Sequence, residues 1–239
     1  MISYKLYYWP LPFRGNFPRL LMEHASAGYE MSSLEENVEL KDRAVADQGI
    51  PGMAPPMLHD FAEDVWINQM PAIMLYLAEK HGYLPDNYYT RAVSMKVVCD
   101  CNDVLSDLTN ANGSQMWTRD TWKQFRSVRL VRWLEIFEEL GQRFGLESDS
   151  GYLLGTGEPS VADFAVTALL HTLRTCMPEL AADISGNAPR IDSLLDRVAA
   201  TPQLNQFYSD QQNALGDLYC GGQIEASIRD MLEHDDADT

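Results

Sequence analysis

The chain has 239 residues, 46% of them hydrophobic and 22% charged, and its formal net charge is −17. That size suits one large domain or two small ones, each able to bury a core. So much acid repels nucleic acid and anionic membranes over most of the surface, and no apolar run approaches the roughly 18 residues of a membrane span.

The N-terminus, Met1 to Lys5, lacks the basic and apolar stretches of a signal peptide. Four cysteines (Cys99, Cys101, Cys176 and Cys220) are too few for a disulfide framework in a chain of this length. Both features point to a reducing, cytoplasmic setting. Tyr4 to Trp9 is short and aromatic and reads as a strand, and Pro10, Pro12 and Gly15 punctuate a turn. Asn16 is a candidate N-cap for a helix whose Phe17, Leu20, Leu21, His24 and Ala25 recur at helical spacing, with Gly28 as its stop. Pro55 to Leu58 opens an extended segment, and Val65 to Ile67 is a short strand. Pro71 then opens a helix with an apolar stripe of Ile73, Met74 and Leu77, closed by Gly82.

This β-α, then β-β-α order implies a small mixed sheet with helices on its faces. Residues 83–90 read as a linker, and helix signals dominate beyond them. Long helices are expected from about Arg91 to Thr109 and from about Thr118 to Leu140, and others start at Ser160 and Pro189. The organisation is therefore a mixed α/β domain over 1–82, the linker, and an all-helical domain over 91–239.

Three patterns carry the functional reading. The first is Lys5-Leu6-Tyr7-Tyr8-Trp9-Pro10, then Arg14-Gly15 and an amphipathic helix. The second is Gly52-Met53-Ala54-Pro55 before a strand, then Asn68-Gln69-Met70-Pro71-Ala72-Ile73 opening a helix. The third is Tyr152-Leu153-Leu154-Gly155, then Pro159-Ser160-Val161-Ala162-Asp163-Phe164. Ser160 and Asp163 stand at N-cap and N3 spacing, where each can satisfy an orphan N–H. In this order and spacing the three patterns resemble the glutathione S-transferase superfamily over nearly the whole chain. The resemblance implies a thioredoxin-like N-terminal domain followed by an all-α C-terminal domain.

It also implies a cytosolic, usually homodimeric enzyme that joins glutathione, as co-substrate, to a small hydrophobic electrophile, typically in detoxification, without a further cofactor. Tyr8 matches the family's catalytic tyrosine, whose hydroxyl donates to the glutathione sulfur and stabilises its thiolate. The alternative for Tyr8 is a buried strand aromatic. Tyr7 is the neighbouring candidate, but it points to the opposite face of the strand. The glutathione-binding set would be Arg14, Met53, Ala54, Pro55, Gln69, Met70 and Asp103. Within it, Pro55 matches a cis-proline that turns the backbone of Ala54 toward the cysteinyl unit. Gln69-Met70 stands where the family has an acid or amide followed by Ser. Met70 lacks that hydroxyl, so its backbone N–H at the helix start would meet the γ-glutamyl carboxylate. Asp103 matches an Asp that reaches across the dimer, with a solvated helical Asp as the alternative. For Arg14 the alternative is a surface ion pair. Leu11 and Phe13, in a loop about two residues longer than the family's, would line the electrophile pocket with residues near Asp107 to Trp117, under a C-terminal cover from Gly221 to Leu232. The alternative function is a non-catalytic carrier of glutathione or apolar ligands with the same fold.

The remaining clusters read structurally. Lys123, Arg126, Arg129 and Arg132 recur every three residues and are expected to pair with nearby acids. Cys99-x-Cys101 and the scattered histidines lack metal-ligand spacing.

Overall fold

Four strands make one sheet in the order β2-β1-β3-β4: β1 Tyr4–Tyr7, β2 Tyr29–Met31, β3 Met57–Asp60 and β4 Val65–Asn68. β1 and β2 run parallel, and the other pairs are antiparallel. The structure is a computed structural model that describes residues 1–236. Along β1, Tyr4 and Leu6 are buried and Lys5 and Tyr7 are half-buried, the alternation expected of a strand with two unlike faces. Helices α1 (Asn16–His24) and α3 (Met70–His81) pack together, and their Leu20, Leu21, Ile73, Met74 and Leu77 are buried in the core. Each such side chain contributes about 1.5–3 kcal/mol by leaving water.

Several local expectations shift. The strand stops at Tyr7, leaving Tyr8 just beyond its end. Asn16 is not the N-cap of α1: a 3-10 turn over Phe13–Gly15 leads into the helix, and Asn16 is its first residue. Asn16 is buried, and its amide donates to Thr172 Oγ1 (3.1 Å) and Gln211 Oε1 (3.0 Å) in the helical domain. Helix α1 ends at His24, well before Gly28. Gly28 serves close approach instead, since a Cβ there would lie 2.2 Å from the Met1 carbonyl oxygen. Two elements were not expected: β2, and α2 over Leu34–Asp42, which starts with a reciprocal Ser33–Glu36 capping box.

The linker is shorter than 83–90. Helix α4 (Tyr88–Leu108) begins inside it, with Asn87 Oδ1 accepting from the Tyr89 and Thr90 amides. A turn with left-handed backbone, Asn110–Gly113, follows. Next comes α5 (Arg119–Gln124), which passes through a π-helical stretch (Phe125–Leu130) into α6 (Val131–Arg143). The central helix runs as α7 (Val161–Val166), a π-helical stretch (Thr167–His171) and α8 (Thr172–Cys176). The chain continues with α9 (Ala181–Asn187), α10 (Pro189–Ala199), α11 (Pro202–Leu215) and α12 (Gly222–Asp236).

Asp163 anchors the central helix. Fully buried, it accepts from the Leu153 amide (2.7 Å), the Ser160 amide (2.8 Å) and Ser160 Oγ (2.8 Å). The small domain is thus a four-stranded mixed sheet with helices, and the remainder is helical, the thioredoxin-like plus all-α arrangement. Among the described residues no helix is long and apolar enough to cross a membrane.

Candidate functional site

The sheet register brings the first two sequence patterns together. Tyr7 pairs with Met57, and Met57 pairs with Asn68. The next residue on each strand, Tyr8, Pro56 and Gln69, therefore falls in one row across the same end of the sheet, at the roughly 4.8 Å spacing of neighbouring strands. Tyr7 belongs to the other face, where its ring packs on Trp66 (centroids 5.3 Å apart).

Tyr8 is 3% exposed. Gly15 lies against its ring so closely that a Cβ there would be 2.4 Å from Tyr8 Cδ1. The Arg14 backbone N–H donates to Tyr8 Oη at 3.1 Å, which leaves the phenolic proton free to be donated. Burial pushes the Tyr8 hydroxyl well above its ordinary range, more than Arg14 pulls it back, so it is a donor and not a base.

Arg14 is half-buried, and among the described residues its guanidinium is held by neutral acceptors. Nε donates to Asn102 Oδ1 (3.0 Å), and Nη2 donates to Ser106 Oγ (3.1 Å) and Asn112 Oδ1 (2.8 Å). The group also lies over the Phe13 ring, 4.8 Å from its centroid. The sequence alternative of a surface ion pair for Arg14 does not hold. Burial lowers its pKa, yet an arginine remains charged. A positive charge with neutral partners thus sits beside Tyr8 in a strongly acidic chain. Asn112 owes its place to the left-handed turn: Asn110, Ala111 and Asn112 have φ of 47°, 57° and 56°.

The second pattern needs a correction of one residue. The cis peptide bond joins Pro55 to Pro56, so the cis-proline is Pro56 and not Pro55. Asn68 fixes the carbonyls on either side, donating to Ala54 O (3.0 Å) and Pro56 O (2.9 Å). Ala54 is exposed with its carbonyl engaged by Asn68, and Met53 projects into solvent, 88% exposed. Pro55, which precedes the cis bond, has no N–H and can only accept. Gln69 is exposed with φ of 75° and leads into α3. The Met70 side chain is buried in the core. No side chain caps α3, so its first-turn N–H groups stay open to an anion.

The other expected residues scatter. Asp103 is exposed on α4, one residue from Asn102. Leu11 lines a groove of about 470 Å³ between the β1–α1 loop, α1 and α11, together with Tyr8, Trp9, Met31, Phe207 and Leu215. Phe13 points elsewhere, into the core against Tyr219. Asp107, Asn112 and Trp117 line a separate hollow of about 580 Å³. The basic stripe is largely spent on ion pairs: Arg126 with Asp183, Arg129 with Asp107 and Arg132 with Glu135. Among the described residues, no three His, Cys, Asp or Glu side chains cluster as a metal site.

Sequence reasoning missed Pro56 and the three acceptors around Arg14. Only Pro56 carried a local signal, the Pro-Pro pair.

The chain shares its fold with several solved structures. The Pi-class glutathione S-transferase of Onchocerca volvulus aligns over 92% of this chain and 98% of its own, with 20% identity and a TM-score of 0.71. Prostaglandin synthase D of Nilaparvata lugens aligns over 87% and 98%, with 19% identity and a TM-score of 0.70. The glutathione S-transferase of Ascaris lumbricoides aligns over 87% and 97%, with 18% identity and a TM-score of 0.69. A search of curated protein sequences finds no match. The model of the glutathione S-transferase C-terminal domain matches residues 93–231, more than half of the chain. The chain belongs to the glutathione S-transferase family.

Proposed function

We propose that the protein is a glutathione transferase in which Tyr8 stabilises the glutathione thiolate for attack on a hydrophobic electrophile. The observation that carries this reading is the pairing of Tyr8 with Arg14. The phenol oxygen accepts the Arg14 amide and keeps its own proton to donate, and the adjacent guanidinium has no carboxylate partner among the described residues. A thiolate placed there gains a charge-assisted hydrogen bond and a positive field.

Glutathione serves as co-substrate. Its γ-glutamyl carboxylate meets the open first turn of α3 at Gln69 and Met70, and its cysteinyl unit lies along Ala54, Pro55 and Pro56. The electrophile sits in the groove of Leu11, because Tyr8 forms part of that wall. Conjugation, isomerisation, dehalogenation and peroxide reduction all use the same thiolate. The enzyme works as a cytosolic homodimer, with Asp103 free on the α4 surface to face a partner. Burial holds the Cys176 and Cys220 thiols up at about 12, which supports structural thiols and leaves the reactive sulfur to glutathione.

A second reading, a carrier without turnover, is favoured by two specific losses. Met70 offers no hydroxyl, and Pro55 offers no N–H. Tyr8→Phe separates the two readings with an activated aryl halide as electrophile. Losing one hydrogen bond to a charged group costs about 1.5–3 kcal/mol, or roughly 10- to 150-fold in turnover, with glutathione still bound. A wild-type chain that binds glutathione but turns over none of the four reaction classes is the carrier.

A further inference from the structure

Tyr8 stands one residue past the end of β1, and in the parallel pairing with β2 the last matched residues are Leu6 and Met31. A buried peptide group beyond the ladder has to be met some other way. At Tyr8 it is met by side chains from the turn and helix that follow β2. The Tyr8 N–H donates to Ser32 Oγ (3.3 Å), the Ser32 hydroxyl donates to Asn37 Oδ1 (2.7 Å), and Asn37 Nδ2 donates to the Tyr8 carbonyl (2.6 Å). These three bonds close a ring that holds both the N–H and the C=O of Tyr8. Its direction is fixed by chemistry. A carbonyl only accepts, so the Asn37 nitrogen faces Tyr8 and the oxygen is left for the serine proton.

Asn37 is wholly buried, in a helix that otherwise buries only Leu40. A buried amide costs free energy unless its bonds are made, and here both ends are used, one on Ser32 and one on Tyr8. The start of α2 is itself held in place. Ser33 and Glu36 cap it reciprocally, Glu36 Oε1 accepts from Lys5 Nζ of β1 (2.6 Å), and the Asn37 N–H donates to the Ser33 carbonyl (3.2 Å). Ser32 also lines the groove that Tyr8 and Leu11 share.

We infer that Asn37 and Ser32 are positioning residues for the reaction: their hydrogen-bonded ring sets the backbone of Tyr8 and, through it, the place of the phenol beside Arg14. This rests on the Tyr8 reading above. The other end of Tyr8 is constrained already, because Gly15 backs its ring and the Arg14 amide bonds its oxygen. With the peptide fixed as well, the hydroxyl has one place to stand. Such placement matters, since a shift of about 1 Å in a reacting or stabilising group costs roughly 100-fold.

The test compares wild type, Asn37→Ala, Ser32→Ala, Tyr8→Phe and the double variant Asn37→Ala/Tyr8→Phe. Ultraviolet absorbance of bound glutathione thiolate is followed against pH, and turnover is measured with an activated aryl halide. Asn37→Ala is expected to raise the ionisation midpoint toward that of Tyr8→Phe and to lower kcat by roughly 10- to 100-fold, with affinity for S-methylglutathione unchanged. In the double variant it is expected to add nothing to Tyr8→Phe, because its effect runs through the phenol. Ser32→Ala removes one link of the ring and is expected to move the midpoint the same way by less, which keeps the test open if Asn37→Ala does not fold. Midpoints equal to wild type in the variants that fold overturn the inference, as does a double variant that falls below Tyr8→Phe by the same factor as Asn37→Ala falls below wild type. The ring then only fastens α2 to the sheet, and the glutathione reading survives. A Tyr8→Phe midpoint equal to wild type overturns both.

Discussion

The C-terminal clamp sets a measurable energy. Glu225 is almost fully buried and holds three consecutive loop amides on one oxygen and Arg229 on the other. Burial alone pushes its carboxyl up, but the bonds from Gly221, Arg229, Tyr219 and Cys220 outweigh that and hold it below the ordinary 4.5. In Glu225→Ala the amides and the guanidinium lose their acceptor together. Bonds to a charged group are worth about 1.5–3 kcal/mol each, but the Cys220 and Gly221 amides lie at half-buried residues and rehydrate. Removing one partner of a buried pair costs about 3–5 kcal/mol, and with that rehydration we expect about 3–4 kcal/mol. If the loss is felt globally, Tm falls by roughly 6–16 °C for a chain of this size. If it is felt locally, hydrogen exchange at the Tyr219 to Gly221 amides accelerates by roughly 100-fold or more while Tm barely moves. Glu233→Ala, on the exposed side of the same helix, is the control and should stay within about 0.5 kcal/mol. The pH dependence follows the same sign. A carboxyl held below its unfolded value stabilises above about pH 4.5 and loses that contribution as pH falls through its folded value. A Glu225→Ala chain that loses no more than Glu233→Ala, by both Tm and exchange, refutes the clamp.

Three further outcomes follow from the packing. Gly15→Ala suits the right-handed backbone there, but the new Cβ meets the Tyr8 ring, so we expect a loss of about 1–3 kcal/mol and a higher ionisation midpoint for bound glutathione. Asp163→Ala strands the buried Leu153 and Ser160 amides and should lower stability by about 3–5 kcal/mol in denaturant unfolding. His171 is pushed down to about 4, by burial first and then by Arg174. The unfolded chain therefore takes up a proton that the folded chain refuses. Its contribution is intact above about pH 6.5 and lost between there and about pH 4, at up to about 1.4 kcal/mol per pH unit, and a His171→Gln chain should lack that slope.

What the sequence revealed depended on whether a signal was local. Tyr8 was singled out by its match to the family's tyrosine ahead of Pro10 and Arg14-Gly15, and strand alternation separated it from Tyr7. Helix α3 was legible from Pro71, its apolar stripe and Gly82. Strand β2 was not, because its three residues are all half-buried and show no alternation. Helix α2 buries only Asn37 and Leu40, so it has no apolar stripe, although Ser33-x-x-Glu36 did spell a capping box. In Pro55-Pro56 either residue could have carried the cis bond, and the carbonyl contacts of Asn68, a residue of β4, now accompany the observed register. Leu11 and Phe13 stand two apart in an irregular loop, where nothing in sequence tells that one faces a groove and the other the core. Tyr219 lies more than two hundred residues from Phe13, so only the folded chain brings their rings together.

The central claim is an activated glutathione sulfur at Tyr8. The most direct test is a pH titration of thiolate absorbance for reduced glutathione bound to the wild-type chain, after calorimetry has shown binding. The account predicts binding and a thiol that ionises about two pH units below the ordinary value near 8.5, so that it is thiolate at neutral pH. No binding at millimolar glutathione, or a bound thiol that ionises at its free value, would contradict it.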